Sequence, residues 1–147
     1  MKVLVASKSW PLTERSGVSL IAAQHVELLL EMGFEVSILG SNITVLDEHL
    51  AVHNKVYVEA SGSGSIYSPE RVNRKLLFSE LERIQPDVVM VESWQTAITH
   101  AVIESAYLLG IPVFMISHGV SVHPFSNGLM QITRSLGWFF YRYYRLV

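Results

Sequence analysis

A histidine and a glycine, His118-Gly119, end the apolar run of residues 111–117. An imidazole can donate or accept a hydrogen bond and can take a proton near neutral pH. The glycine after it escapes the backbone restriction that a Cβ imposes. A run this apolar reads as a strand of a parallel sheet, buried on both faces. Ligands of open α/β sheets bind just outside the carboxyl ends of the strands. His118 therefore stands where a ligand would be met. The structural alternative is a ring satisfied by backbone groups at a strand end. His123, in Val122-His123-Pro124, has weaker positional support.

Two further segments carry candidate chemistry. Ser16-Gly17 precedes a helical pattern. Small residues there let a phosphate approach the free amides and the positive end of the helix dipole. The alternative is a turn that merely needs glycine. Glu92-Ser93-Trp94 closes another apolar run. Glu92 could accept sugar hydroxyls and Trp94 could stack on a sugar or lipid face. Alternatively, Trp94 packs under the next helix and Ser93 caps it. Two phosphate motifs are absent. No G-x-G-x-x-G follows the first strand, which argues against NAD, and no G-x-x-x-x-G-K-[ST] occurs. Asp47, Glu48, His49 and His53 lie in a segment with no clear secondary structure to fix a metal, so no metal site is expected.

The elements that must position these residues alternate between strand and helix. Strands are predicted over 2–6, 35–39, about 55–59, 88–91 and 112–117. Helices are predicted over 18–32, from Ser68-Pro69 to about 85, over 96–109, and from about Asn127 to the end. In the first helix Leu20, Ile21, Leu28, Leu29 and Met32 suggest the apolar side. Gly33 and Gly110 suit helix ends. Alternating strands and helices imply right-handed crossovers on a parallel sheet. The expected fold is α/β, a Rossmann-like doubly wound and mainly parallel sheet with helices on both faces. Order 3-2-1-4-5 puts the topological switch between the first and fourth strands. The loops 7–17 and 92–96 then meet there, with His118 beside them.

Composition bounds the rest. The 147 residues are half hydrophobic, enough for one ordinary domain. Eleven basic against 13 acidic residues give a net charge of −2, so a general nucleic-acid binder is not expected. Every acidic residue lies at or before Glu104, and only Arg134, Arg142 and Arg145 are charged beyond it. That C-terminal third would tolerate an anionic ligand, a membrane surface or an acidic partner. There is no cysteine, hence no disulfide or thiol chemistry. Residues 1–6 are too short an apolar run for a signal peptide, and no run reaches the ~20 residues that span a bilayer. The expected location is cytoplasmic, or peripheral at the inner face of the cell membrane.

The last helix is apolar nearly all round. Leu129, Ile132, Leu136, Phe139, Tyr143 and Val147 form one seam, and Trp138, Phe140, Tyr141 and Tyr144 cover other sides. Such a helix is usually buried on several faces. It suits a missing domain, a second copy, a membrane surface with Arg142 and Arg145 toward the headgroups, or a plain core helix.

These blocks together resemble the N-terminal half of a family 4 glycosyltransferase of the GT-B fold. The opening strand, Ser16-Gly17-Val18 and Glu31-Met32-Gly33-Phe34-Glu35-Val36 look like the start of that family. Gln85-Pro86-Asp87-Val88-Val89 resembles its entry to the fourth strand. Gly110-Ile111-Pro112-Val113 through Ser117-His118-Gly119 resembles its fifth strand and histidine. The family usually has two glycines where this chain has Ser16-Gly17.

The resemblance implies that residues 1–147 are the acceptor-binding domain. A second Rossmann-like domain with a paired-glutamate motif, which would bind the nucleotide-sugar donor, is missing. The implied reaction is retaining transfer of a sugar from a nucleotide-sugar to a hydroxyl acceptor, without metal or cofactor. The acceptor would be a sugar or a lipid-linked molecule of the cell envelope. His118 would be the catalytic histidine, Ser16, Gly17 and Gly119 would lie near the donor phosphates, and Glu92, Trp94 and Trp10 would line the acceptor side. The fragment alone is expected to be inactive. The competing expectations are a non-catalytic flavodoxin-like binding module and a sugar-nucleotide epimerase of the same two-domain fold.

Overall fold

The computed structural model describes residues 1–8, 10, 17–41, 51–61, 71–92 and 96–116. All of them belong to one unit, Met1–Ile116. The elements are β1 (Lys2–Ser7), α1 (Gly17–Glu31), β2 (Glu35–Gly40), β3 (Asn54–Tyr57), β4 (Ala60–Ser61), β5 (Arg71–Val72), α2 (Arg74–Ile84), β6 (Val88–Glu92), α3 (Ala97–Leu108) and β7 (Val113–Ile116). The main sheet is five-stranded in the order β3-β2-β1-β6-β7, and every pairing in it is parallel. This is the expected 3-2-1-4-5 order.

The central strand explains the layering. Val3, Leu4, Val5 and Ala6 are all buried, as a strand covered on both faces requires. Successive side chains alternate between faces. Val3 and Val5 pack with Val36 and Ile38 against Ala22 and Val26 of α1. Leu4 and Ala6 pack with Val89 and Val91 against Leu77, Leu81 and Ile84 of α2 and Ile98, Ala101, Val102 and Ala106 of α3. Among the described residues, one helix thus covers one face and two cover the other. The chain is a Rossmann-like α/β domain.

The helices end where the sequence signals them. Gly33 and Gly110 adopt positive φ, +80° and +70°, which a Cβ would disfavour. At the first, Phe34 N–H donates to Leu29 O and Gly33 N–H to Leu30 O. At the second, Ile111 N–H donates to Ala106 O and Gly110 N–H to Tyr107 O. Both are Schellman closures, and each aims the chain into the strand that follows.

Two expectations need correction. Helix α2 does not start at Ser68-Pro69. Asn73 caps it, its side chain accepting from the Leu76 amide, while Arg71 and Val72 pair antiparallel with Ser61 and Ala60. A strand pairing therefore occupies part of the segment that local signals assign to the helix. In α1, Leu20, Ile21, Leu28 and Met32 are exposed, and the buried line is Ser19, Ala22 and Val26. Small side chains let the helix axis approach the sheet closely, so this face wins over the bulkier one. Among the described residues, no helix is long and apolar enough to cross a membrane.

Candidate functional site

The topological switch lies between β1 and β6, whose last residues, Ser7 and Glu92, are register partners. Both are buried. A carboxylate out of water needs a partner, because its desolvation costs several kcal/mol (about that order even after relaxation). Glu92 has one on α1. Its Oε1 lies 2.7 Å from His25 Nδ1, and the Glu92 side chain has no exposed surface while 31% of the His25 side chain is exposed. Glu92 also has contacts beyond this one. On this face β6 otherwise presents Val88 and Met90, which pack with the α1 core. The strand therefore ends its apolar row with an acid aimed at a helix.

The rim beside this pair is tightly built. The Ser41 amide and Oγ both donate to Lys8 O, at 3.1 and 2.6 Å, holding the segments after β2 and β1 together. Trp10 is fully buried, and its indole N–H donates to Leu39 O at 3.4 Å. It packs with Val5, Ile38 and Ala22 as part of the core. The cause is a slot at Gly40, where a Cβ would meet the indole and the Ser7 carbonyl. An indole in that slot is not offered to an acceptor as a stacking surface.

The remaining candidates divide simply. Gly17 is the first residue of α1, with open space where a Cβ would stand. Glu92 is placed at the switch but engaged by His25, rather than presented bare. Ser16, Trp94, His118, Gly119, His123, Asp47, Glu48, His49 and the last helix lie outside the described residues. His53 Nε2 sits 3.4 Å from Glu35 Oε1, both side chains exposed. Among the described residues no cluster of metal-ligating side chains occurs. Sequence reasoning missed His25 altogether. The readable signal was its partner, an acid closing an apolar strand; the ring itself comes from 67 positions away.

No family model matches this sequence, and no curated protein matches it. Similar solved structures exist. One is the UDP-glucose 4-epimerase of Thermus thermophilus in complex with NAD, at 13% identity and a TM-score of 0.48, covering 76% of this chain and 35% of the epimerase. This chain thus spans about a third of that protein's length. Another is a universal stress protein family protein from Arabidopsis thaliana with AMP bound, at 17% identity and a TM-score of 0.43, covering 85% of this chain and 97% of that one.

Proposed function

We propose that this chain is the acceptor-binding domain of a retaining glycosyltransferase, acting on a sugar or lipid-linked acceptor of the cell envelope. The observation that carries the reading is the strand order, with its switch between β1 and β6. That order sets the ends of β1 and β6, at Ser7 and Glu92, and Gly17 at the head of α1 on one edge of the sheet. Of the sequence blocks that resemble family 4 enzymes, Ser16-Gly17-Val18 runs into the head of α1, and His118 follows the last residue of β7 by two positions. In this reading His118 touches the transferred sugar, and a second domain supplies the nucleotide site.

Amide spectra of the isotopically labelled chain test it. Hydroxyl acceptors, such as short oligosaccharides and polyprenyl phosphate sugars, should shift Ser7, Lys8 and Glu92. Nucleotide-sugars should leave those amides unmoved. Saturable binding of AMP or NAD at the same amides, with no response to any acceptor, would replace this reading by a nucleotide-binding module. In the longer enzyme the reading implies, His118→Ala should abolish sugar transfer, and an unchanged rate would refute the catalytic assignment.

A further inference from the structure

The pairing of His25 with Glu92 has a chemical consequence that a packing role does not require. An ionised carboxylate only accepts hydrogen bonds, so a neutral ring bonded to it through Nδ1 carries its proton there. Nε2 is then left with a lone pair. Carboxylates orient working imidazoles in this way, fixing both tautomer and ring plane. A ring pinned merely to neutralise Glu92 could equally be buried; this one keeps nearly a third of its surface open. Nε2 has no hydrogen-bond partner among the described residues. Replacing a buried carboxylate and its partner by well-packed apolar residues is often neutral or stabilising. A leucine or methionine at position 92 would continue the apolar row of Val88 and Met90.

We propose that His25 Nε2 accepts a hydrogen bond from a ligand hydroxyl on the α1 side of the β1–β6 crevice, with Glu92 as the positioning residue behind it. The ligand class is a neutral hydroxyl-rich molecule, a sugar or polyol. A phosphate would need a donor, and Nε2 of this tautomer is not one. The ligand class rests on the acceptor-domain reading, while the orientation of the ring rests on the His25–Glu92 geometry alone.

Long-range nitrogen–proton NMR on the chain reads the tautomer directly, and titration with methyl glucoside and methyl mannoside reads the contact. The Nδ1–H form is expected, with a saturable shift of Nε2 on addition of sugar. Glu92→Gln should preserve the amide spectrum, admit the other tautomer and weaken sugar binding about tenfold. His25→Phe should keep the fold and lose the response. An Nε2–H tautomer in the native chain overturns the proposal, as does unchanged sugar affinity in His25→Phe or the absence of any response at His25. If the Ser7 and Lys8 amides respond to acceptors while His25 does not, the domain assignment stands and this one falls.

Discussion

Trp10 and Gly40 share one space: a Cβ at Gly40 would stand 2.6 Å from the indole Nε1 and 2.5 Å from the Ser7 carbonyl oxygen. Neither neighbour can give way cheaply, since one is backbone and the other a buried ring. Gly40→Ala should destabilise the fold by about 1–3 kcal/mol, the usual cost of overpacking. Trp10→Ala should lose about 3–5 kcal/mol through the cavity it leaves. Urea midpoints measure both. A neutral Gly40→Ala would mean that the ends of β1 and β2 are looser than this packing implies.

The His25–Glu92 pair should show energetic coupling. His25→Phe leaves the Glu92 carboxylate short of a partner and should cost about 1–3 kcal/mol. Glu92→Leu removes the buried charge with its desolvation and should cost less. A double-mutant cycle should return a coupling of about 0.5–3 kcal/mol, the range for contacting residues. Additive single mutants would indicate two independent side chains.

His100 on α3 gives the fold a pH dependence. Burial holds its pKa below the ordinary 6.5, with Glu104 pulling it up and Arg74 pushing it down. Glu104 is itself paired with Arg74 at 2.7 Å. A depressed histidine pKa means that the unfolded chain binds a proton which the folded chain resists. Stability therefore rises with pH across this window: it is full above about 6.5 and declines as pH falls toward the lowered folded value. Urea midpoints collected between about pH 5 and 7.5 should fall on acidification, and His100→Gln should flatten part of that slope. An unchanged slope in His100→Gln would place the effect on other groups.

Thr96 opens α3 with a reciprocal cap. Its Oγ1 accepts from the Thr99 amide at 3.2 Å, and Thr99 Oγ1 accepts from the Thr96 amide at 3.3 Å. Thr96→Ala should cost about 1 kcal/mol, and Thr96→Ser should restore most of it. Because residues 93–95 lead from Glu92 into this cap, amide exchange at Ala97 and Ile98 should quicken in the alanine variant. Unaltered exchange there would show that α3 packing alone holds the helix start.

The frame of this protein is legible because its signals are local. Apolar runs mark β1, β2, β6 and β7, and glycines 33 and 110 mark helix ends within a residue or two of where the chain turns. What escapes is set by distant partners. Ser68-Pro69 is a sound local start for a helix, but pairing of Arg71 and Val72 with Ser61 and Ala60 delays it to Asn73. Leu20, Ile21 and Leu28 of α1 suggest its buried side together with Leu29, but the sheet takes Ala22 and Val26 for closeness and keeps only Leu29 of these against the core. Trp10 reads as a loop aromatic at the crevice because nothing near it in sequence announces the slot at Gly40. His25 carries no local signal either, since its role depends on Glu92 across the sheet.

The strand order also sets a schedule. The central strand β1 is the first in sequence, yet its second neighbour, β6, does not arrive until Val88–Glu92. Until then the half-sheet of β1, β2 and β3 has one hydrogen-bonding edge of β1 bare, and an open edge invites pairing with other chains. Closing that gap brings together residues more than eighty positions apart (Val3 with Val88, Ala6 with Val91). Contacts of such long range slow folding. The same closure brings Glu92 to His25, so the candidate site can form only after the sheet has sealed its own middle.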